Sequence, residues 1–149
     1  LRSREYVGLL KELWASNAPL YKGKTVGIEG FRMMPKPVQK PHPPFVFGGH
    51  TEPSLKRAAR LGDGWYGIAE SLADIRGVIS RLRAHEAALG RATPLELTVS
   101  PRLGGPVTIA QVRELGQMGV SRIILGTTPT TREQLAEMER LRDEVMAKV

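Results

Sequence analysis

An α/β fold built on a parallel sheet is what this sequence predicts, and three observations carry the prediction. From Phe45 onward, short apolar runs alternate four times with longer amphipathic stretches. Helix-start residues head the later amphipathic stretches, at Ser71, Thr108 and Thr131. Glycines close two of them, at Gly62 and Gly90. Strands that alternate with helices at this spacing pair in parallel through helical crossovers. Two architectures satisfy the pattern: a doubly wound open sheet, and half of an eight-stranded barrel.

The elements follow in chain order. Arg2 to Trp14 places Tyr6, Leu10, Leu13 and Trp14 on one helical face. Residues 15–44 form an irregular connector. Within it, Lys22-Gly23-Lys24 and Glu29-Gly30 are the turn signals of a hairpin, and PKPVQKPHPP (Pro35 to Pro44) is extended and stiff. Phe31 and Val38 predict that this connector packs on something. Phe45 to Phe47 reads as a strand. A helix follows from Pro53 to Leu61, with Leu55, Ala58 and Ala59 inward. Trp65 to Ile68 is the second strand. Ser71 with Asp74 resembles a capping box in which Asp replaces Glu. Leu72, Ile75, Ile79, Leu82 and Leu89 mark a long helix that ends at Gly90. Leu95 to Val99 is the third strand, and Thr108 with Gln111 caps a helix carrying Ile109, Val112 and Leu115. Val120 to Leu125 is the fourth strand. Thr131 with Gln134 is expected to cap a last helix that buries Leu135, Met138, Leu141 and Val145.

Composition narrows the class. The 149 residues suffice for one domain with a core, and 41% hydrophobic with 25% charged residues is ordinary for a globular protein. The start, LRSREYVGLLKELW, reads as an amphipathic helix without a signal-cleavage site. It begins on Leu1 rather than Met, so 1–149 is expected to be a single partial domain, a fragment of a longer chain. There is no cysteine, which fits the cytoplasm. No apolar run approaches the roughly 18 residues of a membrane span, so no membrane partner is expected. The net charge is +7. The 22 basic residues are mixed with 15 acids and aromatics make up only 5%, so we expect a solvated basic surface and no nucleic acid.

The chemistry concentrates after the first strand. Gly48 and Gly49 stand where a parallel strand ends and a helix begins, and glycines let the backbone turn sharply and approach a ligand. His50, Thr51 and Ser54 follow, with Pro53 in the first helical turn. A helix N-terminus offers N–H groups and partial positive charge to an anion. Gly48, Gly49, His50, Thr51 and Ser54 are therefore candidates for an anion site, with phosphate the expected ligand of such a strand–turn–helix. Neither GxGxxG nor GxxxxGK[ST] is present.

The run PKPVQKPHPPFVFGG, followed by RAARLGDGWY, resembles the C-terminal half of the luciferase-like flavin and deazaflavin oxidoreductases. The earlier KELW, and Tyr21 with Gly23, also fit. The resemblance implies a (β/α)8 barrel with the strand before Gly48 as the fifth of eight. It implies hydride transfer or monooxygenation of a small organic substrate with FMN or the deazaflavin coenzyme F420. It places the cofactor-phosphate contact at Gly48 and Gly49, extending to His50, Thr51 and Ser54. The proline-rich entry and the 15 Arg against 7 Lys resemble the F420 branch, with FMN the alternative. In that family the catalytic groups come largely from the first four strands, so no catalytic residue is assigned here. The partner is then the N-terminal half or, in a homodimer, a second copy. A contrasting reading is a non-catalytic half-barrel module that binds and self-associates.

The remaining residues are assigned as follows. Arg102, in SPRLGG after the third strand, is a candidate for an anionic substrate or cofactor tail. Asp63 and Trp65 begin a strand and are assigned to stability at the barrel floor. His42 sits between prolines and His85 on a solvated helical face. No HExxH or close His/Asp/Glu cluster points to a metal.

Overall fold

The computed structural model describes residues 2–126 and 130–149. The chain divides into two compact units, Leu1–Phe45 and Val46–Val149.

In the first unit, α1 (Arg2–Ala15) precedes a two-stranded antiparallel hairpin, β1 (Tyr21–Lys22) and β2 (Gly27–Ile28). The expected hairpin is therefore present. Its turn is held by Glu5 of α1. The carboxylate accepts the N–H groups of Lys24 (3.1 Å) and Thr25 (2.7 Å) and the Thr25 hydroxyl (2.7 Å). The Thr25 hydroxyl first, then the backbone donors, hold the Glu5 carboxyl below the ordinary glutamate range. The face of α1 differs from the expected one: Glu5 and Val7 are the buried residues, and Tyr6 is half exposed. Lys36 donates to the carbonyls of Leu13 (2.6 Å) and Ser16 (2.5 Å), placing a cation at the carboxyl end of α1. Trp14 stacks on Phe45 at 5.2 Å, and His42 packs on the same ring at 5.2 Å, which gives His42 a packing role. Phe31 and Val38 are exposed, so the packing expected of them is not met among the described residues.

The second unit is strand–helix throughout. Its elements are β3 (Val46–Gly48), α2 (Glu52–Leu61), β4 (Gly64–Ala69), α3 (Leu72–Ala88), β5 (Glu96–Pro101), α4 (Ile109–Gln117), β6 (Val120–Ile123) and α5 (Thr131–Arg140). A π-helical turn, Leu141–Val145, and a 3-10 turn, Met146–Lys148, end the chain. All strands pair in parallel, in the order β3-β4-β5-β6. Sequential order distinguishes the two architectures left open by the sequence. A doubly wound sheet reverses its strand order and carries helices on both faces. Here Trp65, Ala69, Leu97 and Val99 form one core with Leu55 of α2, Ile75 and Leu82 of α3 and Leu115 of α4. The helices thus cover a single face, as in a barrel wall.

This arrangement decides which strand residues meet the helices. Leu97 and Val99 point to the helices and are fully buried, not into a barrel lumen. The other face carries Val46, Tyr66, Ile68, Thr98 and Ser100, because side chains alternate along a strand. Val46 and Ile124 are 49% and 46% exposed. Between β5 and β6 the pairing jumps from Leu97↔Val120 to Thr98↔Arg122, so Ser121 is an extra bulged residue. Its hydroxyl donates to the Leu97 carbonyl at 3.2 Å.

Caps largely follow the sequence. Ser71 accepts the Asp74 N–H, and Thr108 with Gln111 makes a reciprocal capping box. The last helix departs from expectation. Thr130 with Glu133, one residue earlier than Thr131 with Gln134, makes the capping box. Leu135 and Met138 are exposed, at 58% and 66%, while Val145 is buried. Among the described residues, no strand follows β6 to receive that face of α5.

Candidate functional site

The carboxyl ends of β3, β4 and β5 lie side by side, since Gly48 pairs with Tyr66 and Ala69 with Pro101. Ligands of parallel sheets bind at this end. The Gly48–Ser54 segment forms one continuous turn there. Gly49 has φ +108, a conformation that L side chains rarely adopt, and a Cβ would lie 2.8 Å from Ser54 Oγ. Gly48 is different. A Cβ on it would meet nothing closer than the Tyr66 carbonyl oxygen at 3.6 Å. Packing within the chain therefore requires glycine at 49 and leaves Gly48 as an open, exposed stretch of backbone.

The helix that starts here has a distinctive N-terminus. Ser71, Thr108 and Thr130 each accept a backbone N–H at the start of their helices. Thr51 does not. Its hydroxyl instead lies 2.9 Å from Ser54 Oγ, and Ser54 donates to the Thr51 carbonyl at 2.7 Å. With the Ser54 proton spent on that carbonyl, the Thr51 hydroxyl is the donor in the pair. The first turn of α2 thus lacks a side-chain acceptor and keeps two hydroxyls beside it. Pro53 removes one N–H from the turn at no cost to the helix.

Two side chains brace the turn from β4. Trp65 is fully buried, and its indole N–H donates to the Gly49 carbonyl at 3.0 Å. The indole can run along the strand because Gly67 is two residues on, on the same face; a Cβ there would lie 2.0 Å from Trp65 Cη2. Trp65 is thus a stability residue, as expected, but its polar atom works at the ligand end and not at the floor. Its Trp-x-Gly spacing was the available sequence signal. The second brace is His50. Its Nε2 accepts the Ile68 N–H at 3.3 Å, extending the β3 edge of the ladder by one side-chain bond. Acceptance at Nε2 puts the proton of the neutral ring on Nδ1.

A cavity of about 260 Å³ is lined by Gly49, His50, Tyr66, Gly67 and Ile68. A second, of about 450 Å³, is lined by His50, Ile68, Glu70, Asp74, Ile75 and Val78. Tyr66 and Ile68 were not singled out by sequence reasoning. Arg102 is exposed just beyond β5; its N–H donates to the Ala69 carbonyl at 2.8 Å, and it lines neither cavity. It shares the ligand end of the sheet with Gly48 without converging on the Gly48–Ser54 turn.

The charge near the turn comes from α2 and α3. Glu52, the first residue of α2, receives Arg81 Nη1 at 2.9 Å and His85 Nε2 at 2.8 Å. Those partners, His85 foremost, hold the Glu52 carboxyl below its ordinary range. Arg81 Nη2 also reaches the His50 carbonyl at 3.4 Å. His85 is accordingly a bonded residue rather than the solvated one expected.

Comparison with known proteins bears on the family and the fold. The family described as luciferase-like monooxygenase matches residues 1–144. The chain is 29% identical over 94 residues to the FMNH(2)-dependent dimethylsulfone monooxygenase of Pseudomonas putida, covering 63% of this chain and 26% of that protein. The fold is similar to the coenzyme F420-dependent tetrahydromethanopterin reductase of Methanopyrus kandleri, with TM-score 0.77 at 13% identity, over 98% of this chain and 62% of that one. It is also similar to an F420-dependent secondary alcohol dehydrogenase, with TM-score 0.71 at 13% identity, over 96% of this chain and 60% of that one. The chain therefore spans less than two thirds of each of these proteins. Its four strand–helix units have the fold of half a TIM barrel.

Proposed function

We propose, because this chain belongs to the luciferase-like monooxygenase family, that it supplies the cofactor-phosphate half of a flavin- or deazaflavin-dependent oxidoreductase acting on a small organic substrate. The observation that carries the reading is the Gly48–Ser54 turn: open backbone at Gly48, a helix start without a side-chain cap, and two adjacent hydroxyls at the ligand end of a parallel sheet. This donor set fits a phosphate group. A helix start suits an anion, and although the Ser54 hydroxyl and N–H are held by the Thr51 carbonyl, the Thr51 hydroxyl can turn its proton from Ser54 Oγ toward a ligand. The site's residues then have distinct tasks. Gly48 lets the backbone approach, Thr51 donates with Ser54 beside it, and Trp65 and His50 fix the turn. Tyr66 and Ile68 wall the adjoining cavity.

Bound FMN or F420 would supply the electron or hydride transfer, and the protein would hold and orient it. F420 is our first choice, on the arginine-rich composition and the proline-rich entry to Gly48, with FMN the alternative. The reacting pocket and its acid or base groups are assigned outside this chain. The test is to purify the full-length protein and record the absorbance of the species bound to it. A flavin or deazaflavin spectrum supports the reading. A protein that neither carries nor takes up either cofactor would refute it and favour a binding module.

A further inference from the structure

A carboxylate in the first turn of a helix stabilises the helix, but it also repels any other anion that comes to the same N-terminus. Glu52 is such a carboxylate, one residue past Thr51. Left bare, it would oppose a phosphate at the Gly48–Ser54 turn. It is not bare. One oxygen takes Arg81 and the other takes His85, and these two residues lie four apart on α3 and so share a face. Arg81 goes further. Its second terminal nitrogen lies 3.4 Å from the carbonyl of His50, the residue before Thr51. One guanidinium thus bridges the chain on both sides of the helix start. Among the residues of the turn itself, none is a lysine or arginine.

We propose that Arg81 is a positioning residue for the cofactor phosphate: by pairing with Glu52 and the His50 carbonyl from α3, it cancels the repulsive charge at the α2 N-terminus and fixes the turn that receives the anion. This rests on the phosphate reading above. Arg81 need not touch the ligand. Its effect is electrostatic and local, so it must act on ligands that carry the phosphate and spare those that lack it. It must also depend on Glu52, since a neutral residue at 52 leaves no charge to cancel.

The experiment is a titration of the full-length protein with two pairs of probes, FMN against riboflavin and F420 against its phosphate-free ribityl deazaflavin core. Arg81→Ala should weaken the phosphate-bearing probe by about two- to fivefold, the range of a single charge at a helix end, and leave the phosphate-free probe unchanged. Arg81→Lys should recover most of the loss. Adding Glu52→Gln to Arg81→Ala should also restore affinity, and raising the salt should shrink the difference. Equal weakening of both members of a pair would make Arg81 merely structural and overturn the inference. So would an Arg81→Ala loss that Glu52→Gln does not repair. Failure of the underlying reading has its own signature: wild-type protein that binds FMN no better than riboflavin, and F420 no better than its core, has no phosphate site for Arg81 to serve.

Discussion

Substituting the two neighbouring glycines separates backbone strain from ligand contact. Gly49→Ala forces an L residue to φ +108 and drives a methyl to 2.8 Å from Ser54 Oγ. The unfavourable backbone costs about 1–3 kcal/mol. Ser54 must rotate away, losing its bonds to Thr51 at 2.7 and 2.9 Å, at roughly 0.5–1.5 kcal/mol each. Some relaxation will offset this, so a net loss of about 2–4 kcal/mol is expected. That is a large share of the roughly 5–15 kcal/mol of a typical domain. Gly48→Ala meets only an ordinary 3.6 Å contact. It should be neutral or stabilising, by up to about 1 kcal/mol through the unfolded chain. The assay is urea denaturation of the full-length variants, followed by FMN and F420 titration of Gly48→Ala. Equal stability losses at 48 and 49 would refute the backbone argument. Unchanged cofactor affinity in folded Gly48→Ala would refute close approach of the phosphate at that residue.

Three further outcomes follow. Glu5 has a carboxyl lowered by folding, so its contribution is complete above the unfolded-state pKa and is lost as pH falls through the lower folded value. The protection of the Lys24 and Thr25 amides, taken relative to the intrinsic exchange rate at each pH, should fall on acidification in the wild type, whereas in Glu5→Gln it should be low at neutral pH already; parallel protection profiles would contradict this role of Glu5. If Arg102 meets an anionic substrate or cofactor tail, Arg102→Ala should raise the apparent constant and flatten its salt dependence, and identical kinetics across a salt series would assign it to the surface. The 149-residue chain expressed alone should self-associate or aggregate, because one face of its parallel sheet is uncovered and Val46, Ile124, Leu135 and Met138 are exposed; a dilute, cooperatively melting monomer in sedimentation would refute this.

Local chemistry made the elements readable in the sequence, and three-dimensional reach made the site only partly so. Gly62 and the Ser71 and Thr108 caps mark boundaries because each satisfies backbone groups within a few residues. The segment TPTTREQ offers two overlapping capping boxes, and nothing local chooses Thr130 over Thr131. Facing was harder. The β5 segment LELTVS has few charges to mark an outer face, so the alternation gave two sets without saying which meets the helices. The Gly48–Ser54 turn is contiguous and was visible. The Glu52 contacts with Arg81 and His85 span 29 and 33 residues and depend on how α2 and α3 pack. Trp65 was placed by its Cα at the start of a strand, while its indole N–H acts at the other end.

The grip of Glu5 on the hairpin has a consequence for variation and engineering. A single carboxylate receives donors from two consecutive residues, Lys24 and Thr25, and so acts as a ruler for the turn. One residue added or removed between Tyr21 and Ile28 would shift both donors out of reach. Length changes in related chains should therefore collect elsewhere in the irregular stretch, from Glu29 to Pro44. A loop graft or tag that respects the fold belongs there, and not at the hairpin tip, where exposed turns are ordinarily the first choice.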